Sequence, residues 1–284
     1  MFEKVSPAHP DKLADRIAGF VVDQTYTMAS REGEENPRVA VEVLLGHGQC
    51  VIFSETTHRI NESDVQGAVK RIAGIEPFGT RFFQVAQDKH LQRNQEKGLR
   101  CGDNGIFVGL PPEEEEDHLL RIVQGLYSCW PSDGKAIYDL KNNEAIICWS
   151  NVPAVVVQAR ARQDAPGVNL KVNPLGDWTG GISVDCGATN RKLGSDMGRA
   201  ATGGGLHGKD LSKADVSVNI WCWKRAWESN KIVEAYCAIG DERVRWRLGG
   251  EARESVAFAD IVDEARSYIE EVGGFERFAM WGLI

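Results

Sequence analysis

The sequence predicts an α+β fold in which hairpins of strands are covered by helices. Three observations carry this. Strand pairs with period-two alternation recur along the chain, amphipathic stretches of helical period separate them, and glycine-rich turns join them. The same pattern recurs in three similar rounds, without low-complexity sequence or a sharp linker.

His9-Pro10-Asp11 reads as a helix start, with Pro10 near the first helical position. The stripe Leu13, Ile17, Phe20, Val21 and Gln24 then faces a core. Strands are expected at 38–45 and 49–57, joined through Gly46-His47-Gly48. A helix fits 62–73, with Val65, Val69 and Ile72 inward, and a strand fits 81–87. The polar stretch 88–100 reads as a solvated loop or an active-site lid. Cys101-Gly102-Asp103-Asn104-Gly105 is turn chemistry, and Pro111-Pro112 leads into a helix through Leu126. The acidic run 113–117 complements that helix's dipole. Strands are expected at 135–140, 144–149 and 153–161, followed by a glycine-rich stretch at 173–187. A helix to about Glu228, strands at 232–239 and 243–248, and a helix at 257–272 complete the order.

The 284 residues are 42% hydrophobic and 26% charged, as in ordinary globular proteins. A net charge of −8 and a pI near 5.4 argue against a general nucleic-acid or membrane-surface binder. Seven cysteines without a C-x-x-C pair favour reduced thiols over a disulfide framework or a zinc site. No leader or membrane span is visible, so the expectation is a cytoplasmic enzyme.

GGGLHGKDLSKAD, Gly203 to Asp215, is the densest functional window. Glycine-freed N–H groups, a helix start, Lys209 and Lys213 suit a polyphosphate, and Asp215 suits Mg2+. Gly203 to Lys209 fits G-x-x-x-x-G-K, but Asp210 stands where a P-loop needs Ser or Thr. Other segments are rich in polar residues and glycine. Around His9-Pro10-Asp11-Lys12, with Glu3 upstream, metal-and-anion binding and plain helix capping are equally open. Glu42 and Glu55 sit among apolar strand neighbours, where a solvated face is the commoner reading. Asp103 belongs either to a ligand-facing turn or to an unremarkable one. Asn173 to Trp178, then Asp185-Cys186-Gly187 and Arg191-Lys192, place basic residues close to a glycine run.

Taken in order, HPDK, GDNG, DCGATNRK and GGGLHGKDLSKAD resemble the S-adenosylmethionine synthetases, whose strings are HPDK, GDQG, DCGLTGRK and GGGAFSGKDPSKVD. The resemblance runs from residue 3 to about residue 240 and implies three pseudo-symmetric sheet-plus-helix domains, at about 1–87, 101–180 and 181–284, which may interleave, with a lid at 88–100. It also implies a homodimer with active sites between subunits, substrates ATP and L-methionine, Mg2+ (two ions) and K+. Sulfur attack on C5′ of ATP is then followed by triphosphate hydrolysis.

Carried across by resemblance, His9 is the catalytic histidine, and Asp11 and Asp215 hold Mg2+. Lys12, Lys135, Arg191, Lys192, Lys209 and Lys213 contact phosphate. Glu42 marks the K+ site, while Glu55 and Asp185 hold the methionine amino group. Asp103 lies at the nucleotide and Trp178 stacks on adenine. Gln87, Ile239 and Glu3 line the methionine side. Departures fall at Pro7-Ala8, in the lid, and in the helical material ahead of Asn173. A silent ATP- or S-adenosylmethionine-binding relative, or a same-fold enzyme acting on another thioether or mainly as a triphosphatase, are the alternatives.

Overall fold

In chain order the elements of the computed structural model are β1 (Phe2–Val5), α1 (Pro10–Glu32), β2 (Val39–Gly46), β3 (Gln49–Thr56), α2 (Glu62–Ala73), β4 (Gly79–Ala86) and β5 (Gly105–Gly109). They continue with α3 (Glu114–Cys129), β6 (Gly134–Asp139), β7 (Glu144–Trp149), α4 (Ala154–Asp164), β8 (Asn169–Val172), β9 (Cys186–Ala188) and α5 (Leu193–Asp196). The last are α6 (Ala214–Ser229), β10 (Val233–Cys237), β11 (Arg243–Leu248), β12 (Glu251–Ala252), β13 (Val256–Ala257), α7 (Phe258–Val272) and α8 (Phe275–Trp281). The structure describes residues 1–74, 79–87, 93, 98–202 and 204–284. Most of the expected lid, and Gly203 of the glycine-rich motif, lie outside the described residues.

Among the described residues the strands form three sheets, ordered β1-β6-β7-β8, β4-β3-β2-β9 and β12-β11-β10-β5, with β13 also pairing to β11. Each sheet borrows a strand from far along the chain. β1 pairs with β6, β9 with β2, and β5 with β10. Most pairs are antiparallel as expected, but β3–β4 and β7–β8 are parallel.

Two helices cover each sheet. α1 and α2 bury Leu13, Ile17, Val21, Val65, Val69 and Ile72 over the β2–β3 hairpin, where Val39, Val41 and Val43 point the same way. α6 and α7 pack Trp221, Cys222, Ile261 and Val262 into the same core, beneath β5 and β10. α3 and α4 close a second core around Trp149, with Leu119, Ile122, Leu126 and Val157. Burying each such side chain stabilises by about 1.5–3 kcal/mol.

Local signals set the element ends. Pro10 opens α1 and Gly33, at φ 77°, closes it. The β2–β3 turn takes His47 at φ 49° and Gly48 at φ 75°, as a two-residue hairpin loop of the primed type requires.

One expected strand is overturned, because residues 154–164 form helix α4 rather than a strand at 153–161. The run Val155-Val156-Val157 has strand propensity, but Val157 and Ala161, one helical turn apart, are the side chains that reach the core. β1, β5, β8, β9 and α8 were not expected from the sequence pattern.

Candidate active site

The N-terminus of α1 gathers most of the charge. His9 is its N-cap, and His9 Nδ1 accepts the Asp11 backbone N–H at 3.1 Å. An accepting Nδ1 places the proton of the neutral ring on Nε2, which is left as a donor. Asp11, on the first turn, is 2% exposed. Its Oδ1 accepts the Ala188 N–H at 2.9 Å and lies 3.5 Å from Arg191, while Lys192 Nζ sits 2.8 Å from Oδ2. Burial works against ionisation of Asp11, but Lys192 and the Ala188 N–H outweigh it and hold the carboxyl below its ordinary value. Burial, with the charge of Lys192, lowers His9 to about 4. Lys135 and Asp185 also act electrostatically on His9, so β6 and the segment before β9 converge on it. The close approach needs Gly187, where a Cβ would overlap the Pro10 carbonyl.

The segment after Gly203 runs beside β2. Gly208 O accepts the Val41 N–H at 2.6 Å, and Lys209 forms an antiparallel bridge with Ala40. Lys209 Nζ meets Asp215 Oδ2 at 2.8 Å at the start of α6, whose N-cap is Lys213. Asp210 is fully buried, and its carboxylate accepts the N–H groups of Val39 (2.8 Å) and Ser212 (2.8 Å). Where a P-loop has a metal-binding hydroxyl, this chain has a fastening to β2. The GDNG turn docks here too, since Gly102 N–H donates to Ser212 O at 3.0 Å. Asp103 is exposed, and Asn104 Oδ1 accepts the Ile239 N–H at 2.8 Å, which brings Ile239 to this turn.

Lys12 belongs to neither group. It is fully buried, with Nζ 2.5 Å from Asp196 Oδ1 and 3.4 Å from Asp15 Oδ2. His207 Nε2 lies 3.0 Å from Asp196 Oδ2. Asp15, Asp196 and His207 have the composition of a metal site, their ligand atoms lying within 4.8 Å of one another, yet the Lys12 ammonium is the cation among them. Burial opposes ionisation of Asp196, but Lys12 and His207 hold it well below the ordinary carboxylate range. A lysine so engaged is a poor phosphate contact, so the sequence expectation for Lys12 does not suit its position.

The remaining expected residues lie apart. Glu42 and Glu55 point from the exposed face of β2 and β3, and Glu42 accepts the Thr189 hydroxyl. Among the described residues no hydrogen bond or ion pair joins Glu55 to His9, Asp11 or Lys209. Trp178 is partly exposed, with Nε1 donating to Asn173 Oδ1 at 3.3 Å. Glu3 pairs with Lys135 at 3.2 Å across β1 and β6. Asp185 is exposed, and Gln87 is buried with Oε1 lacking a partner among the described residues.

Sequence reasoning missed Asp133, in the Ser-Asp-Gly-Lys run ahead of Lys135. It is buried, accepts the Gly181 N–H at 3.0 Å, and is pushed up to about 6 by burial. It missed Asp15, Asn190, Asp196 and His207 as well, because their roles depend on partners remote in sequence.

Residues 1–82 match the family described as S-adenosylmethionine synthetase, N-terminal domain. An S-adenosylmethionine synthase of Salinibacter ruber (strain DSM 13855 / M31) is 29% identical over 306 residues, covering 87% of this chain and 77% of that protein. The fold matches a solved S-adenosylmethionine synthetase from Campylobacter jejuni, described as unusual, with a TM-score of 0.71 and 19% identity over 100% of this chain and 94% of that one.

The His9 environment is open to titration by NMR. His9 should titrate near 4, and Lys192→Ala should raise that value, because one of the positive charges that, with burial, hold the ring neutral is removed. With its folded value below 6.5, His9 contributes stability above pH 6.5 that is lost as pH falls toward 4. A wild-type value near 6.5, or a fall in Lys192→Ala, would contradict this arrangement.

Proposed function

We propose that this relative of the S-adenosylmethionine synthetases is itself a methionine adenosyltransferase. The supporting observation is the pairing of buried aspartates with lysines at two helix starts, Asp11 with Lys192 and Asp215 with Lys209. A carboxylate beside an ammonium at a helix N-terminus suits a polyanion arriving with a divalent cation. Lys192 and Lys209 would pair with phosphate oxygens, and Asp11 and Asp215 would then be available to hold a divalent cation.

The neutral sulfur of methionine needs no base. Its lone pair forms the S–C5′ bond, the C5′–O5′ bond breaks, and the electron pair leaves with the triphosphate. Catalysis then rests on alignment and on stabilising the leaving group's charge. Neutral His9 offers Nε2–H toward that charge, and Lys135, Arg191, Lys192, Lys209 and Lys213 hold the phosphates. Asp103 and Trp178 take the nucleoside side, with Glu55, Asp185, Gln87, Ile239 and Glu3 toward methionine. Asp11 and Asp215, hard oxygen donors, would hold Mg2+, which would supply further neutralisation of the triphosphate. Glu42 with the Thr189 hydroxyl is the oxygen pair suited to K+. The triphosphate is then hydrolysed to pyrophosphate and phosphate.

The exposed sheet faces support reading the enzyme as a homodimer. Leu44, Phe53, Phe83 and Val85 share the outer face of one sheet with Glu42 and Glu55, and the Phe53 and Phe83 rings stack at 4.9 Å. Ile106 and Tyr236, a register pair, extend exposed apolar surface on a second sheet. Contiguous exposed apolar faces of this kind mark interaction surfaces. Packing two copies by these sheets carries Glu55 into a site shared between subunits. We place the enzyme in the cytoplasm, in keeping with seven cysteines that lack a C-x-x-C pair; among the described residues no helix is long and apolar enough to cross a membrane.

Incubation of pure protein with ATP, Mg2+ and methionine should yield S-adenosylmethionine, phosphate and pyrophosphate, and His9→Ala should cut that yield at least a hundredfold. Binding without turnover would favour a silent relative, and phosphate without the sulfonium product a triphosphatase. A Phe53→Asp/Phe83→Asp variant should sediment as a monomer and lose turnover. A monomer with full activity would contradict the shared site.

A further inference from the structure

We propose that Asn190 is a positioning residue whose side chain clamps the segment bearing Arg191 and Lys192 to the loop bearing Lys209. It thereby sets the spacing between the two halves of the phosphate site. The inference rests on the reading of that site as a polyphosphate site.

Asn190 sits between β9 and α5 in the left-handed region, at φ 61°. Its side-chain amide pairs with both backbone groups of one distant residue. Oδ1 accepts the His207 N–H at 2.9 Å, and Nδ2 donates to the His207 carbonyl at 3.1 Å. Its own backbone N–H donates to Asp15 Oδ1 at 2.8 Å. Asp15 lies one turn beyond Asp11 on α1, and His207 is two residues before Lys209. One residue therefore ties together α1, the Arg191–Lys192 segment and the Lys209 loop.

The fit is close on the far side as well. At Gly205 a Cβ would overlap the Asn190 side-chain amide, so the loop runs directly against it. Gly205 is absent from the positive-φ residues, so alanine there meets the amide without a backbone penalty. His207 is 2% exposed, and without Asn190 its backbone N–H and carbonyl lose these partners away from water. The S-adenosylmethionine synthetase string DCGLTGRK has glycine where this chain has Asn190. A polyanion bridging Arg191–Lys192 and Lys209 gains from both only when their separation is fixed beforehand, and small displacements of such groups cost large factors in rate.

Tripolyphosphate is a non-reacting probe of this spacing. Its affinity is to be measured by calorimetry at fixed Mg2+ for wild type, Asn190→Gly, Gly205→Ala and the double variant. Glycine accepts the left-handed backbone, so Asn190→Gly removes only the amide. We expect Asn190→Gly to weaken tripolyphosphate binding about tenfold, in line with one lost positioning contact. Gly205→Ala should weaken it similarly by displacing the amide, yet cost nothing further once Asn190 is glycine. If Asn190→Gly does not fold, Gly205→Ala tests the clamp from the opposite side. Binding within twofold of wild type in the single variants, or additive losses in the double, would overturn the clamp. Wild type that binds tripolyphosphate but makes no S-adenosylmethionine sinks the transferase reading and leaves the clamp to this comparison. Wild type that binds no tripolyphosphate overturns both.

Discussion

The buried carboxylate of Asp11 is the constraint around which the rest of the site is arranged. It sits where α1 begins, accepts a backbone N–H from β9, and draws Lys192 and Arg191 over the helix start. The Asp11 N–H in turn fixes the His9 ring through Nδ1. An anion so placed gains from the helix dipole and from two cations, which offsets the cost of removing it from water. The same logic recurs at the start of α6, where Asp215 holds Lys209. On the proposed reading, both pairs would exchange when a polyphosphate competed for the lysines and a metal for the carboxylates.

Beneath this exchangeable layer lies a fixed one. Lys12, Asp15, Asp196 and His207 form a buried ionic cluster joining α1, α5 and the loop before Lys209. Buried ion pairs contribute little net stability once desolvation is counted, although breaking one by removing a partner costs about 3–5 kcal/mol. Their use here is geometric. α1 cannot slide against the segment bearing Arg191 and Lys192 without separating Lys12 from Asp196. The backbone beneath the outer lysines is thus tied to α1 through buried side chains.

Much of the fold is legible in the sequence where the partner of a segment is its own neighbour. α1, α2, α3, the β2–β3 hairpin and the β10–β11 pair follow from periodicity, caps and turn residues. β1, β5 and β9 escape such reading because they are short and pair with strands far along the chain. The valine run of α4 misleads because tertiary packing, not propensity, selects the helix. The site divides in the same way. His9, Asp11, Lys192, Lys209 and Asp215 are visible as motif residues, and the structure brings them together in two pairs with His9 beside the first. Lys12 is equally visible, but only the tertiary positions of Asp196 and His207 show that its charge is spent inside the core. Asp210 breaks the P-loop pattern for a reason also invisible in sequence, the two N–H groups it holds on β2 and at Ser212.

On the proposed reading, the carboxylate–lysine pairs are the resting form of a metal–polyphosphate site. Tripolyphosphate affinity with and without Mg2+, compared between wild type and Asp11→Asn, tests it most directly. Asparagine can still accept the Ala188 N–H through Oδ1 while the charge is removed, and the variant's circular dichroism and melting temperature check that the fold is kept. Mg2+ should strengthen binding to wild type about tenfold or more, and Asp11→Asn should lose most of that gain. An equal Mg2+ dependence in the two proteins would contradict this reading.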